Sequence, residues 1–133
     1  MKALSIRAPW AWAIFHQGKN IENRSRRTHY RGPLVIQSSL TKDPKAIAWL
    51  RRHGFKFPDA FPTGYLVGVV EVVDCLDKVP RSLWASGPFC YVLARPRAFS
   101  KPIRWRGQLG FFGVPDAVIK AALAKTSRKR PIR

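Results

Sequence analysis

Acidic residues are scarce in this chain. Only 7 Asp and Glu stand against 25 Lys and Arg over 133 residues, a formal net charge of +18. Such an imbalance speaks to partners rather than to fold, and the partner it points to is a polyanion. Cysteine is nearly absent: Cys75 and Cys90 cannot form a disulfide framework or a four-thiolate zinc site. They read as small buried hydrophobes in a reducing compartment. The three histidines, His16, His29 and His53, fall on different predicted elements without metal-ligand spacing. No run of 18 uncharged apolar residues exists, which excludes a membrane-spanning helix. Lys2 and Arg7 interrupt any signal-peptide core, so a cytoplasmic location is expected. The G-x-S-x-G, H-E-x-x-H, Walker A and G-x-G-x-x-G signatures are all missing, and neither a metal nor a cofactor is expected. What the chain does have is 46% hydrophobic residues, enough to bury a core and to exclude global disorder.

The positive charge is unevenly placed. Residues 1–31 carry +6, residues 32–77 are neutral, and residues 78–133 carry +12. The two basic ends predict one positive face built from both. The last nine residues, Lys125 to Arg133, supply +5 of that charge without apolar periodicity. They are expected to form a disordered tail behind a single domain at 1–124, and to act as a phosphate clamp without sequence preference.

Ala3 to Ile6 reads as a first strand. Pro9 suits the opening turn of a helix, where a missing N–H costs nothing. That helix is apolar almost all round and is expected to stop at Gly18. Residues 19–27 are strand-like, and Tyr30-Arg31-Gly32-Pro33 is a turn into a strand from Leu34. Asp43-Pro44 opens a second helix that ends at His53-Gly54, and Phe55 to Gly64 is a loop. Tyr65 to Cys75 is the longest β signal, broken by Glu71. Further strands are expected at Phe89–Leu93, Pro102–Trp105 and Leu109–Phe112, with a closing helix at 117–124. Many strands with two or three helices define an α+β domain built on a small curled sheet or barrel.

The informative stretch is Gly18-Lys19-Asn20-Ile21-Glu22-Asn23-Arg24-Ser25-Arg26-Arg27. Strand alternation puts Glu22, Arg24 and Arg26 on one face and Ile21 on the core side. It also puts Lys19 on the face opposite Glu22, so joint action requires a bend near Gly18–Asn20. Glu22 can then orient Arg24 toward an anion while Lys19 supplies a second cation. The plain alternative is a solvated strand face with a Glu22–Arg24 ion pair.

Leu4-Ser5-Ile6-Arg7, Pro9-Trp10-Ala11, Gly18-Lys19-x-x-Glu22-x-Arg24 and Tyr30-Arg31-Gly32-Pro33-Leu34 resemble the ASCH domain of the PUA-like superfamily. So do Gly68 to Asp74, Gly87-Pro88 into Tyr91-Val92-Leu93, and Arg106 to Phe112. The family spacing G-x-K-x-x-E-x-R would set its glycine at Gln17, and here Gly18 follows one residue later. The resemblance implies a small β-barrel flanked by two or three helices, with a cleft where the Lys/Glu/Arg motif meets a ligand, and an association with RNA binding. It also implies two enzymatic alternatives, ribonuclease action or hydrolysis of N4-acetylcytidine or a similar acylated nucleoside. With Lys19 or Glu22 as base and Arg24 on the phosphate the first needs no metal. A non-catalytic nucleic-acid reader is the third reading. The acylcytidine branch uses the motif lysine, a threonine three residues on and a downstream glutamate. Lys19 matches, the threonine position holds Glu22, and Glu71 is the candidate for the last.

The residues assigned to catalysis are Lys19, Glu22 and Arg24. Lys19 could serve as base or nucleophile if its pKa falls well below about 10.4, and Arg24 suits a phosphate. Trp10 is a candidate base-stacking platform, and Arg26, Arg31, Arg104 and Arg106 are candidate phosphate contacts. The expected partner is RNA, bound by a monomer.

Overall fold

Apolar alternation along the strands sets up two cores on opposite faces of one sheet. On β1 (Lys2–Arg7), Leu4 and Ile6 enter one core and Ala3 the other. On β3 (Gly32–Ser39), Leu34 and Ile36 join the first and Val35 the second. Helix α1 (Ala8–His16) covers the first core through Ala11 and Ile14. Helix α3 (Asp116–Arg128) covers the second through Ile119 and Ala122. The remaining elements are β2 (Ile21–Arg24), α2 (Pro44–Arg52), β4 (Tyr65–Leu76), β5 (Phe89–Arg104) and β6 (Phe111–Gly113). The structure, a computed structural model, describes residues 1–128.

The six strands form one sheet in the order β2-β5-β4-β3-β1-β6. It is curled into a half-barrel, the α+β small-barrel architecture expected, with β2 and β6 as its edges. β1 and β3 pair in parallel, which requires a crossover, and α1 with β2 supplies it. The long β4–β5 pair carries three register shifts, and bulges of this kind increase local twist and help the sheet curl.

Several sequence expectations change in detail. The two strands expected at Phe89–Leu93 and Pro102–Trp105 are parts of one strand, β5, held along its length by β4. Leu109 lies outside β6 and is fully exposed. The strand expected over 19–27 is only four residues long, so the alternation does not reach Arg26. The closing helix does not stop at 124. Thr126 Oγ1 accepts a hydrogen bond from the Ser100 N–H and donates to the Ala122 carbonyl, tying the helix end to β5. The first part of the expected tail is therefore helical through Arg128, and the rest of it, 129–133, lies outside the described residues.

α2 is capped as the sequence predicts, the Asp43 carboxylate accepting from the Ala46 N–H at 3.0 Å. Cys75 and Cys90 are buried and unbridged. Among the described residues no helix is long and apolar enough to cross a membrane, and no group of three or more His, Cys, Asp or Glu could hold a metal.

Candidate nucleic-acid interface

The exit from α1 sets the site. The N–H groups of Gln17 and Lys19 both donate to the Ala13 carbonyl, at 2.9 and 3.1 Å. That tight wrap needs a left-handed residue between them, and Gly18 supplies it with φ +70°. The left-handed glycine thus stands at 18 and not at 17. The bend reverses the facing that pure alternation gives Lys19 and brings its ammonium 3.5 Å from Glu22 Oε1. Lys19 also donates to the Ile21 carbonyl and sits 5.7 Å from the centroid of the Trp10 ring.

Glu22 is shared between two cations. Its second oxygen accepts from Arg24 Nε at 3.0 Å, and Arg24 Nη2 reaches the Ser5 carbonyl at 2.9 Å. Lys19 and Glu22 are 5% and 8% exposed, so one negative charge is buried between two positive ones. Burial is the largest influence on Lys19 and pulls its pKa below the usual value. The Glu22 charge and hydrogen bond push it back up, and Arg24 adds to the lowering. Arg24 is the most open of the three, at 30%, and its Nη1 has no intramolecular partner among the described residues.

Two hollows meet at this cluster. The larger, about 820 Å³, is lined by Ser5, Arg7, Arg24, Gln37, Asp43 and Arg106, among others. Arg7 is 3.4 Å from Asp43, a pair at the cleft wall. The loop after β5 closes one side: Gln37 Nε2 donates to the Trp105 carbonyl and the Gln108 N–H to Ser5 Oγ. Gly107 lets the loop approach closely, because a Cβ there would stand 2.6 Å from both Gln37 Oε1 and Ser5 Oγ and push those side chains aside. Leu40 and Leu109, 75% and 100% exposed, form an apolar lip. The smaller hollow, about 360 Å³, is lined by Trp10, Lys19, Glu22, Trp49 and Trp84. Trp10, Glu22 and Asn23 line both.

The structure brings Lys19, Glu22, Arg24 and Trp10 together and places Arg106 on the same cleft. It disperses the other arginines. Arg26 is exposed past the end of β2, where its carbonyl accepts from Tyr91 Oη. Arg31 pairs with Asp74 at 3.6 Å and donates to the Thr28 and Tyr30 carbonyls. Arg104 lies over the Tyr65 ring and lines a separate groove between β5 and α3. Glu71 lines neither hollow and pairs with Arg95 on the surface, so it is neither a buried partner nor a cleft acid.

Sequence reasoning missed Arg7, Trp49 and Trp84. Arg7 followed from β1 alternation, which turns it away from Leu4 and Ile6. Trp84, an aromatic in a polar loop, carried a weak signal. Its position is set by Asn23, whose side chain donates to the Trp84 carbonyl and accepts from the Ser86 and Gly87 N–H groups.

The chain is 30% identical over 109 residues to human Activating signal cointegrator 1, a match covering 71% of this chain and 19% of that protein. It is 32% identical over 83 residues to the mouse protein of that name, covering 56% of this chain and 14% of that one. The aligned region thus spans less than a fifth of either relative. A family model described as the ASCH domain matches residues 4–102, which contain the whole Lys19–Glu22–Arg24 cluster, and the chain belongs to that family.

Proposed function

We propose that this protein binds single-stranded RNA, with the phosphodiester backbone laid across the larger cleft and Arg24 as its central phosphate contact. The observation that carries this reading is the shared carboxylate. Glu22 holds Arg24 in place through Nε, the Ser5 carbonyl holds Nη2, and Nη1 is left for an anion at the cleft floor. Arg106 adds positive charge to the same cleft, where Arg7 is paired with Asp43, and the Leu40–Leu109 lip offers apolar surface to riboses and base edges. The chain's +18 supplies long-range attraction. The name of the relatives describes proteins several times longer, and the binding proposed here rests on this chain's own cleft.

A ribonuclease reading is supported by one feature, the lowered pKa of a lysine beside an anion-binding arginine. With Lys19 as the neutral amine taking its proton, a 2′-hydroxyl could attack its own phosphate, Arg24 stabilising the phosphorane. The P–O5′ bond then breaks and the 5′-oxygen leaves with a proton from the lysine or from water. Against it, the ammonium is engaged by Glu22 and by the Ile21 carbonyl. Acylcytidine hydrolysis has less behind it, with Glu22 at the threonine position and Glu71 outside both hollows.

Binding of a labelled single strand, measured across a salt series, tests the proposal. Log K should fall linearly with log[salt], and Arg24→Ala should flatten the slope by about 0.7, one phosphate's share on a single strand. Affinity indifferent to salt, or to Arg24→Ala, would refute it. Lys19→Arg keeps the charge but cannot act as a base. Retained affinity with intact RNA in wild type and variant alike marks a binding protein. Cleavage by the wild type that Lys19→Arg abolishes marks a nuclease.

A further inference from the structure

The smaller hollow is unexplained by a backbone-binding cleft. Its walls are three tryptophans, Trp10, Trp49 and Trp84, each only half-buried. Trp49 is the hub. The His53 ring stacks on it at 3.9 Å, Trp84 lies 5.2 Å away, and Trp10 meets it edge-on at 5.4 Å. A hydrophobic cluster meant only for stability would close over itself, but this one stays open onto a charged floor of Lys19 and Glu22. Its volume, about 360 Å³, is within the range of small-molecule sites. It also shares Trp10, Glu22 and Asn23 with the larger cleft, so a strand crossing that cleft passes its mouth.

We propose that this hollow takes one unstacked base of the bound strand, and that the base is guanine. The proposal rests on the RNA-binding reading above. The floor presents a donor beside an acceptor: the Lys19 ammonium and the Glu22 carboxylate, 3.5 Å apart. Lys19 has three N–H groups, of which the Ile21 carbonyl and Glu22 use two. Glu22 Oε2 accepts from Arg24 Nε and Oε1 faces the Lys19 ammonium at 3.5 Å, and each oxygen retains a further lone pair. The Watson–Crick edge of guanine matches that order, an acceptor at O6 followed by adjacent donors at N1 and N2. Guanine alone offers a carboxylate two adjacent donors, N1–H and N2–H, beside an acceptor for Lys19; uracil, adenine and cytosine each offer one donor group beside an acceptor. The tryptophans supply stacking faces, and Asn23 fixes Trp84 by holding the 84–87 loop.

The test uses short abasic phosphodiester strands of equal length, carrying one central guanine, one central adenine or no base. Wild-type protein should bind the guanine strand about five- to a hundredfold more tightly than the baseless strand, the range for one base–aromatic stack, with adenine between them. Trp84→Ala should erase that gain while leaving affinity for the baseless strand unchanged, and Trp84→Phe should restore most of it. Equal binding of all three strands by the wild type overturns the base hollow and leaves the RNA reading standing. A Trp84→Ala loss shared by the baseless strand also overturns the hollow. Adenine bound as tightly as guanine overturns the guanine assignment. Failure to retain any strand at low salt, natural RNA included, overturns the RNA reading and this proposal with it.

Discussion

Glu22 and Glu71 look alike in the sequence, each a single carboxylate in a stretch expected to be a strand, and each has an arginine partner in the fold. Glu22 lies on β2, at the edge of the sheet, yet it is buried and shared by Lys19 and Arg24. Glu71 lies on β4, inside the sheet, yet it is exposed and holds Arg95 alone. Sheet position therefore does not decide burial. What decides it is what packs on that face. The α1 exit brings Lys19 onto one Glu22 oxygen, and Arg24, tied to the Ser5 carbonyl of β1, covers the other. Near Glu71 the β4–β5 register shifts, and Arg95 adopts a left-handed φ of 52° that belongs to a bulge. A buried carboxylate with two cations is a built electrostatic device. An exposed one with a single cation is ordinary surface chemistry.

The largest test of this contrast is Glu22→Ala. It leaves the Lys19 ammonium buried without a counter-charge and should cost about 3 kcal/mol in denaturant unfolding. Adding Lys19→Met to that variant removes the stranded charge and should recover most of the loss, a non-additivity that an exposed pair would not show.

A smaller effect concerns pH. The folded-state pKa of Lys19 lies below its ordinary value of 10.5, chiefly through burial. Between the folded and unfolded values the unfolded chain binds more protons, so stability rises with pH through that window. Wild-type protein should therefore gain stability relative to Lys19→Met as pH climbs toward 10.5. Tyr30 and Tyr91, whose pKa values burial raises, act in both proteins and cancel in the difference. A flat difference across the alkaline range would mean that Lys19 is not held in the buried, charged state described. The smallest effect belongs to Glu71→Gln, which should leave the unfolding midpoint and RNA affinity unchanged. A clear loss of either would dissolve the contrast.

Much of the molecule was legible before folding. Pro9, Gly18, Asp43 and Gly54 mark the ends of α1 and α2 because their backbone constraints are local. The Lys19–Glu22–Arg24 motif stood out by residue type and spacing. Its need for a bend was also readable, since strand alternation alone would have parted Lys19 from Glu22. The continuity of β5 was not legible, because the pairing that spans Arg95-Pro96-Arg97 is supplied by a partner strand distant in sequence. Nor was the end of α3, which Thr126 fixes through a contact with β5.

By itself the sequence determined the charge, the α+β class, the family motif and the local turns, all of which depend on residue identity or short-range geometry. Tertiary structure alone decided which cations share a site. Arg106 and Arg7 reach the cleft, while Arg26, Arg31 and Arg104 are led elsewhere by a strand end, an ion pair and an aromatic ring. It also decided that Trp10, Trp49 and Trp84, from two helices and a loop, open onto one buried Lys–Glu pair. Long-range packing places side chains by volume and by unsatisfied polarity, and neither quantity is written in the spacing of residues along the chain.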